Sequence, residues 1–208
     1  MVGTRQALAE GLVTFGVFPG WHVCWNPAVD DINRWLFSEE TGAPFSRCVR
    51  CAWPLAEIAA PWLVNKEYVG CECVLEYAIC KPCRDSVTDR FSEESKESVR
   101  VFLEAEIDWE ARTREFMMAA NPVERFGACI SCRTPRDQMR RFAISALYDS
   151  GGHLVNGALP LLICGECIAK VTAGLSEESR QIWREFIRDH FRGPDDDTDF
   201  DDDILGIF

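Results

Sequence analysis

Hydrophobic and polar positions alternate in two separate parts of the chain. Residues 68–79 contain alternating stretches, and residues 142–148 lead through a Gly-Gly turn to residues 153–155. Alternation with a period of two is typical of strands with one buried face. Each part therefore predicts a β-hairpin.

Two longer segments carry apolar residues at helical spacing, and each begins at a serine that can cap a helix. The first helix is predicted from Ser92 to about residue 120, where Asn121-Pro122 ends it, and the second begins at Ser176. Their apolar stripes consist of Val99, Phe102, Leu103, Ile107 and Phe116 in the first helix, and of Ile182, Trp183, Phe186, Ile187 and Phe191 in the second.

These elements belong to an internal repeat. Phe45-Ser-Arg-Cys48 aligns with Phe126-Gly-Ala-Cys129 at an offset of 81, and Ser92-Glu-Glu-Ser95 aligns with Ser176-Glu-Glu-Ser179 at an offset of 84. Two copies of one module are the simplest explanation. The predicted organisation is an N-terminal packing segment (1–43), a first module with its long helix (44–121), a second module with its long helix (122–192) and a tail (193–208).

Eight of the eleven cysteines form four Cys-x-x-Cys pairs, two in each copy of the repeat. A Cys-x-x-Cys turn brings two thiolates to one ion, and two such turns complete a tetrahedral shell. We therefore expect two structural Zn²⁺ ions, with iron–sulfur ligation as the alternative. The expected ligands are Cys48, Cys51, Cys80 and Cys83 in the first copy, and Cys129, Cys132, Cys164 and Cys167 in the second.

The order of elements within each copy resembles a treble-clef zinc finger. A Cys-x-x-Cys knuckle comes first, a β-hairpin follows, and the second cysteine pair opens a short helix. The resemblance implies an α+β fold of two repeated treble-clef-like zinc modules with long helices, which is a scaffold rather than a function. A closed shell of four thiolates leaves no position for water or substrate, so zinc catalysis is not expected.

Composition narrows the class of protein. The chain has 208 residues, 47% of them hydrophobic, and this content supports a folded core rather than a wholly disordered chain. No stretch approaches the ~18 uninterrupted apolar residues that a membrane span needs. The N-terminal residues also lack the pattern of a secretory signal. We therefore expect a cytoplasmic protein without membrane contact, where paired cysteines indicate metal sites rather than disulfides.

Two parts of the sequence are less informative. The unpaired Cys24, Cys71 and Cys73 are expected to be small buried residues, although Cys71 and Cys73 lie close enough to the first module to offer a replacement ligand. Residues 1–43 contain Trp21, Trp25 and Trp35, which could cover the zinc modules or form a dimer contact. The sequence therefore leaves open whether the chain forms a homo-oligomer.

Much of the net charge of −12 lies at the C-terminus, where seven aspartates fall between Asp195 and Asp203. Without them the rest of the chain would carry −12 + 7 = −5. The aspartates repel one another, and Gly193-Pro194 ends the preceding helix, which predicts a disordered acidic tail. An apolar end beside a carboxylate is typical of a docking peptide, because a ring can fill a pocket while a cation binds the carboxylate.

The end of the chain resembles the acidic tip of bacterial single-stranded-DNA-binding proteins. That family ends in Asp-Phe-Asp-Asp-Asp-Ile-Pro-Phe, and this chain has Leu205-Gly206-Ile207 where the family has the single proline. The resemblance implies docking onto replication, repair and recombination enzymes, with Phe208 and its carboxylate as the main anchor. The residues expected to bind such partners are Asp199, Phe200, Asp201, Asp202, Asp203, Ile204, Ile207 and Phe208.

The second copy contains an arginine cluster that could contact single-stranded DNA. Between Arg125 and His153, five arginines stand against two aspartates, a local charge of +3. Guanidinium groups bind phosphates and aromatic rings stack on bases. An ordinary solvated cluster whose aromatic residues belong to the core is the alternative. The expected contact residues are Arg125, Arg133, Arg136, Arg140, Arg141, Phe142 and Tyr148.

The sequence contains no recognisable catalytic motif. The three histidines, His22, His153 and His190, are not paired with a nucleophile motif, and there is no P-loop or dinucleotide fingerprint. We expect a non-enzyme: a zinc-containing single-stranded-DNA-binding or DNA replication, repair or recombination accessory protein of bacterial or phage type. The competing hypothesis is an acidic inhibitor, immunity or decoy protein that binds a basic toxin, nuclease or host repair enzyme.

Overall fold

The computed structural model describes residues 32–118, 122–157 and 159–191, which form helices and one antiparallel sheet. The α-helices are α1 (Ile32–Leu36), α2 (Lys81–Thr88), α3 (Glu93–Glu106), α4 (Trp109–Met118), α5 (Gly165–Ala173) and α6 (Glu177–Phe191). The strands are β1 (Trp62–Val69), β2 (Glu72–Cys80), β3 (Arg141–Tyr148) and β4 (Leu161–Cys164). The predicted α+β class is confirmed.

The two copies of the repeat share the sheet, whose strand order is β2-β1-β3-β4. β1 pairs with β2 inside the first copy and with β3 of the second copy. In the β1–β3 pair, Val64 lies opposite Ala146 and Asn65 lies opposite Ser145. The β1–β2 and β3–β4 ladders align Val64, opposite Ala78, with Ile144, opposite Leu162, so Asn65 corresponds to Ser145. The two copies therefore meet around an approximate two-fold axis at the middle of this pair.

Both faces of the sheet are covered by aromatic packing. On one face Trp35 packs edge-on against Tyr68, with ring centroids 6.4 Å apart. On the opposite face Tyr77 packs edge-on against Phe186 of α6 at 6.1 Å. Successive side chains of a strand point to opposite faces. Burial on both faces therefore leaves β1 buried along almost its whole length.

Burial on both faces also explains why the sequence pattern placed the first hairpin too late. The alternation predicts it over residues 68–79, whereas β1 begins at Trp62 and its residues 65–67 are polar but buried. Each of these residues has a polar partner: Ser145 Oγ donates to Asn65 Oδ1 at 2.6 Å, Lys66 Nζ donates to Glu39 Oε1 at 2.8 Å, and Arg141 Nε donates to Glu67 Oε1 at 2.5 Å.

Two further elements differ from the sequence prediction. The first long helix is broken, because Ile107 is buried in an extended conformation and Asp108 Oδ1 accepts from the Ala111 N–H at 2.8 Å. This bond caps a separate helix, α4. The partner of β3 is also different, since residues 153–155 contribute only an isolated bridge between Leu154 and Tyr148, and β4 provides the ladder.

Four serines join the starts of α3 and α6. Ser92 Oγ accepts from the Ser95 N–H and Ser176 Oγ accepts from the Ser179 N–H, both at 3.2 Å, which is ordinary N-capping. The copies also cap each other: Ser95 Oγ accepts from the Ser176 N–H at 2.8 Å, and Ser179 Oγ accepts from the Ser92 N–H at 3.0 Å. Ser95 and Ser179 are completely buried. The repeated Ser-Glu-Glu-Ser motif is thus a contact between the two copies.

A helix must be long and apolar enough to cross a bilayer. None of the helices in residues 32–118, 122–157 and 159–191 could cross a membrane.

Candidate metal centres

The structure brings the eight paired cysteines together as two groups of four. Cys48, Cys51, Cys80 and Cys83 form one group, and Cys129, Cys132, Cys164 and Cys167 form the other. Within each group the Sγ atoms all lie within 4.8 Å of one another. All eight are free thiols rather than disulfides. Each group could therefore hold one metal ion.

The first two cysteines of each group lie on a knuckle with the same backbone hydrogen bonds in both copies. In the first knuckle (residues 48–53) the Ala52 N–H donates to Cys48 O at 2.9 Å and the Cys48 N–H donates to Trp53 O at 3.0 Å. In the second knuckle (residues 129–134) the equivalent bonds are 3.1 Å and 2.9 Å. The turn needs a left-handed residue after the second cysteine, and Ala52 (φ +56°) and Arg133 (φ +62°) take that conformation.

The last two cysteines of each group lie at the N-terminus of a short helix. Cys80 and Cys164 are the N-cap residues of α2 and α5, and Cys83 and Cys167 lie in the first turn. The Cys80 N–H points to Cys48 Sγ at 3.5 Å, and the Cys164 N–H points to Cys129 Sγ at 3.4 Å. Unpaired N–H groups and the helix dipole favour negative charge here, so these positions stabilise thiolates.

The thiols of one group do not ionise equally. Burial opposes the ionisation of Cys48, but hydrogen bonds from backbone N–H groups, including those of Cys51 and Cys80, outweigh it and lower its pKa to about 7. Burial also opposes the ionisation of Cys132, where hydrogen bonds with Thr134 help to lower the pKa to about 6. Burial, and charge on neighbouring Cys129, raise the pKa of Cys164. A bound cation would remove this mutual repulsion and allow all four thiolates to form.

The three remaining cysteines do not join either group. Cys71 is exposed and disulfide-bonded, so the expectation of a small buried residue is wrong for it. Cys73 is half-buried and free, and burial raises its pKa to about 11. Cys24 lies outside the described residues, as do residues 1–31 in general.

The residues expected to contact DNA are spread over several environments. Arg125 and Phe142 are each only 5% exposed, and Phe142 stacks on Tyr68. Arg141 pairs with Glu67 at 2.5 Å. The guanidinium of Arg136 lies 4.5 Å from the ring centroid of Trp35.

The other three expected contact residues lie closer to the surface. Tyr148 is half-buried and stacks on Trp62 at 5.7 Å. Arg133 and Arg140 are exposed, and Arg133 pairs with Glu115 at 3.0 Å. The structure therefore does not present the seven side chains as one surface, and direct contact with DNA through this set stays a prediction.

The eight predicted partner-binding residues (Asp199 to Ile204, Ile207 and Phe208) lie outside the described ranges. Of the histidines, His153 is exposed and its Nδ1 lies 3.3 Å from Asp149 Oδ2. His190 is half-buried, and burial lowers its pKa.

Sequence analysis missed a surface on the first knuckle. Arg47, Arg50 and Trp53 are all exposed there, and the side chain of Trp53 is not part of the core. A signal was present in the sequence, because the repeat aligns these residues with Ala128, Ser131 and Thr134. The two turns keep both cysteines and the following proline, but differ at these three positions and at Ala52, which aligns with Arg133.

The chain can also be compared with proteins that are already known. Comparison with protein-family models, with curated proteins and with solved structures finds no match.

Proposed function

We propose that the chain is a zinc-containing accessory protein of DNA replication, repair or recombination, of bacterial or phage type, that recruits partner enzymes through its C-terminal tail. The observation that carries the proposal is the segment Asp199-Phe200-Asp201-Asp202-Asp203-Ile204 followed by Phe208, which resembles the acidic tip of bacterial single-stranded-DNA-binding proteins. The body is the scaffold that presents this tail.

Zinc is the metal that fits the cysteine groups best. Four thiolates at tetrahedral spacing suit Zn²⁺, and the knuckle plus helix N-terminus supports a treble-clef-like module in each copy. Such a shell is closed, so its role is to stabilise the fold rather than to activate water. We accordingly propose a cytoplasmic non-enzyme with two structural zinc ions, because all eight ligand thiols are free, as a reducing compartment favours, although Cys71 is disulfide-bonded.

The tail has the physical properties of a recruitment peptide. Seven aspartates provide long-range attraction to a basic surface, which raises the rate of encounter. Phe208 then supplies an aromatic anchor, and the carboxylates of Asp201, Asp202 and Asp203 can accept hydrogen bonds from an arginine. The two extra residues before Phe208, relative to the family's tip, alter the spacing between the acids and this anchor.

The competing function, an acidic inhibitor, immunity or decoy protein, uses the same charge differently. It would mimic nucleic acid in a basic site, so its binding would depend on the aspartates and tolerate loss of the terminal ring. Phe208 therefore discriminates between the two functions.

Pull-down from a bacterial lysate tests the proposal. Deleting Phe208 should abolish the capture of replication and repair enzymes that bind single-stranded-DNA-binding-protein tails. A matched variant, Asp195→Asn, removes one tail charge outside the family-like segment and should retain capture. Undiminished capture after deletion of Phe208 would refute recruitment through the tail and favour the charge mimic.

A further inference from the structure

The first knuckle presents an aromatic ring and two cations to solvent. Trp53 is 56% exposed, although tryptophan is large and normally well buried. It follows the second cysteine of the pair by two residues, and its backbone oxygen accepts the Cys48 N–H at 3.0 Å. The backbone of Trp53 is thus fixed by the metal knuckle while much of its ring stays in water.

The two arginines beside this ring are held by backbone carbonyls rather than by carboxylates. Arg47 Nη1 donates to Ala52 O at 2.8 Å, and Arg50 Nη1 donates to Cys83 O at 3.1 Å. Among the described residues no carboxylate forms an ion pair with either arginine. Both guanidinium groups are therefore oriented and still able to bind an anion through their remaining N–H groups.

The second copy shows that the fold does not need these three side chains. Its knuckle has the same backbone hydrogen bonds and a left-handed residue at the same position, Arg133 in place of Ala52, but carries Ala128, Ser131 and Thr134 at the equivalent positions. Arg47 and Arg50 are not needed to assemble a cysteine group either, because the second group assembles without an arginine at those two positions, although Arg133 lies at the position of Ala52. An exposed tryptophan and two oriented arginines that the turn does not require point to a ligand.

The wider surroundings are also basic in an acidic chain. Residues 47–57 and the start of α2 together carry four cations and two carboxylates. The cations are Arg47, Arg50, Lys81 and Arg84, and the carboxylates are Glu57 and Asp85. Asp85 pairs with Lys81 and Arg84 and with neither arginine of the knuckle.

We propose that single-stranded nucleic acid binds at this first-knuckle surface (Arg47, Arg50 and Trp53). Bases of an unpaired strand can stack on the exposed ring while the two guanidinium groups bind neighbouring phosphates. A duplex keeps its bases stacked on each other, so a single projecting indole favours a single strand. The proposal rests on the proposed function in DNA metabolism and gives it a location different from the arginine cluster of the second copy.

Exchange of the first-knuckle residues for their equivalents in the second copy provides the test. The variant R47A/R50S/W53T of the full-length, zinc-loaded chain is compared with wild type by fluorescence anisotropy on a labelled oligothymidine of about 20 nucleotides. We expect binding to weaken by about tenfold or more, since loss of one stacking platform alone costs about that much. The slope of log affinity against log salt should become shallower by about 1.4, for two lost phosphate contacts.

The matched control is R100A/R114A, which removes two exposed, ion-paired arginines of α3 and α4 and should bind as wild type does. Equal zinc content and circular dichroism in all three proteins exclude unfolding as the cause. The inference is overturned if the first-knuckle variant binds like wild type, if only the control variant loses affinity, or if the wild type does not bind the oligonucleotide. It is also overturned if a peptide of residues 195–208 binds the surface and the oligonucleotide does not. None of these results affects tail recruitment, which the Phe208 variant measures separately.

Discussion

At the scale of single residues, the cysteine groups could be predicted because they follow a local spacing. The exposure of the expected nucleic-acid contacts could not, because it depends on the fold. The Cys-x-x-Cys spacing and the repeat offset together were enough to group the cysteines, and the Sγ atoms lie as that grouping requires. Arg125 and Phe142 have the composition of a nucleic-acid surface, but both are 5% exposed. Their burial depends on strands and loops distant in sequence, such as β1 with Tyr68, so no local pattern reveals it.

The left-handed residue of each knuckle gives a prediction at this scale. Ala52 is exposed and has φ +56°, a conformation that glycine adopts freely and β-branched residues avoid. Ala52→Val should therefore reduce the free energy of unfolding by about 1–2 kcal/mol relative to Ala52→Gly. Thermal unfolding of the zinc-loaded variants measures the difference. Equal stabilities of the valine and glycine variants would contradict a requirement for the left-handed conformation at residue 52.

At the scale of elements, the repeated Ser-Glu-Glu-Ser motif identified helix starts but not their contact with each other. An N-cap serine is a local signal, whereas the bonds between Ser95 and the Ser176 N–H, and between Ser179 and the Ser92 N–H, join positions more than 80 residues apart. The break between α3 and α4 was missed for a related reason. Ile107 continues the apolar stripe in sequence, but its backbone is extended rather than helical and the residue is buried.

Reciprocal capping predicts that one buried hydroxyl stabilises the helix of the other copy. Ser95→Ala removes the acceptor of the Ser176 N–H and should destabilise the protein by about 1–2 kcal/mol. Ser150→Ala, at an exposed turn, is the control and should change stability little. Chemical denaturation of both variants measures this, and hydrogen exchange should be faster at the start of α6. Wild-type stability in Ser95→Ala would contradict a capping role between the copies.

At the scale of the whole molecule, two repeats that the sequence presents as successive modules form one continuous sheet. The β1–β3 pair runs over eight residue pairs, from Trp62 opposite Tyr148 to Val69 opposite Arg141. This pairing places the two metal centres on a common framework, so loss of one should weaken the other. Sequence analysis could detect the repeat but not the two-fold packing, because strand pairing across the copies depends on buried polar partners that have no periodic pattern.

We propose that the two cysteine groups are zinc centres and that the bound metal holds this shared framework together. Native mass spectrometry of the full-length chain, with elemental analysis of the same sample, measures the identity and number of bound metals. We expect two zinc ions per chain and, after their removal by a chelator, a single loss of structure that includes both halves of the sheet, since structural zinc contributes folding free energy. A chain that carries no metal, or that keeps its fold after complete removal of zinc, would contradict the account.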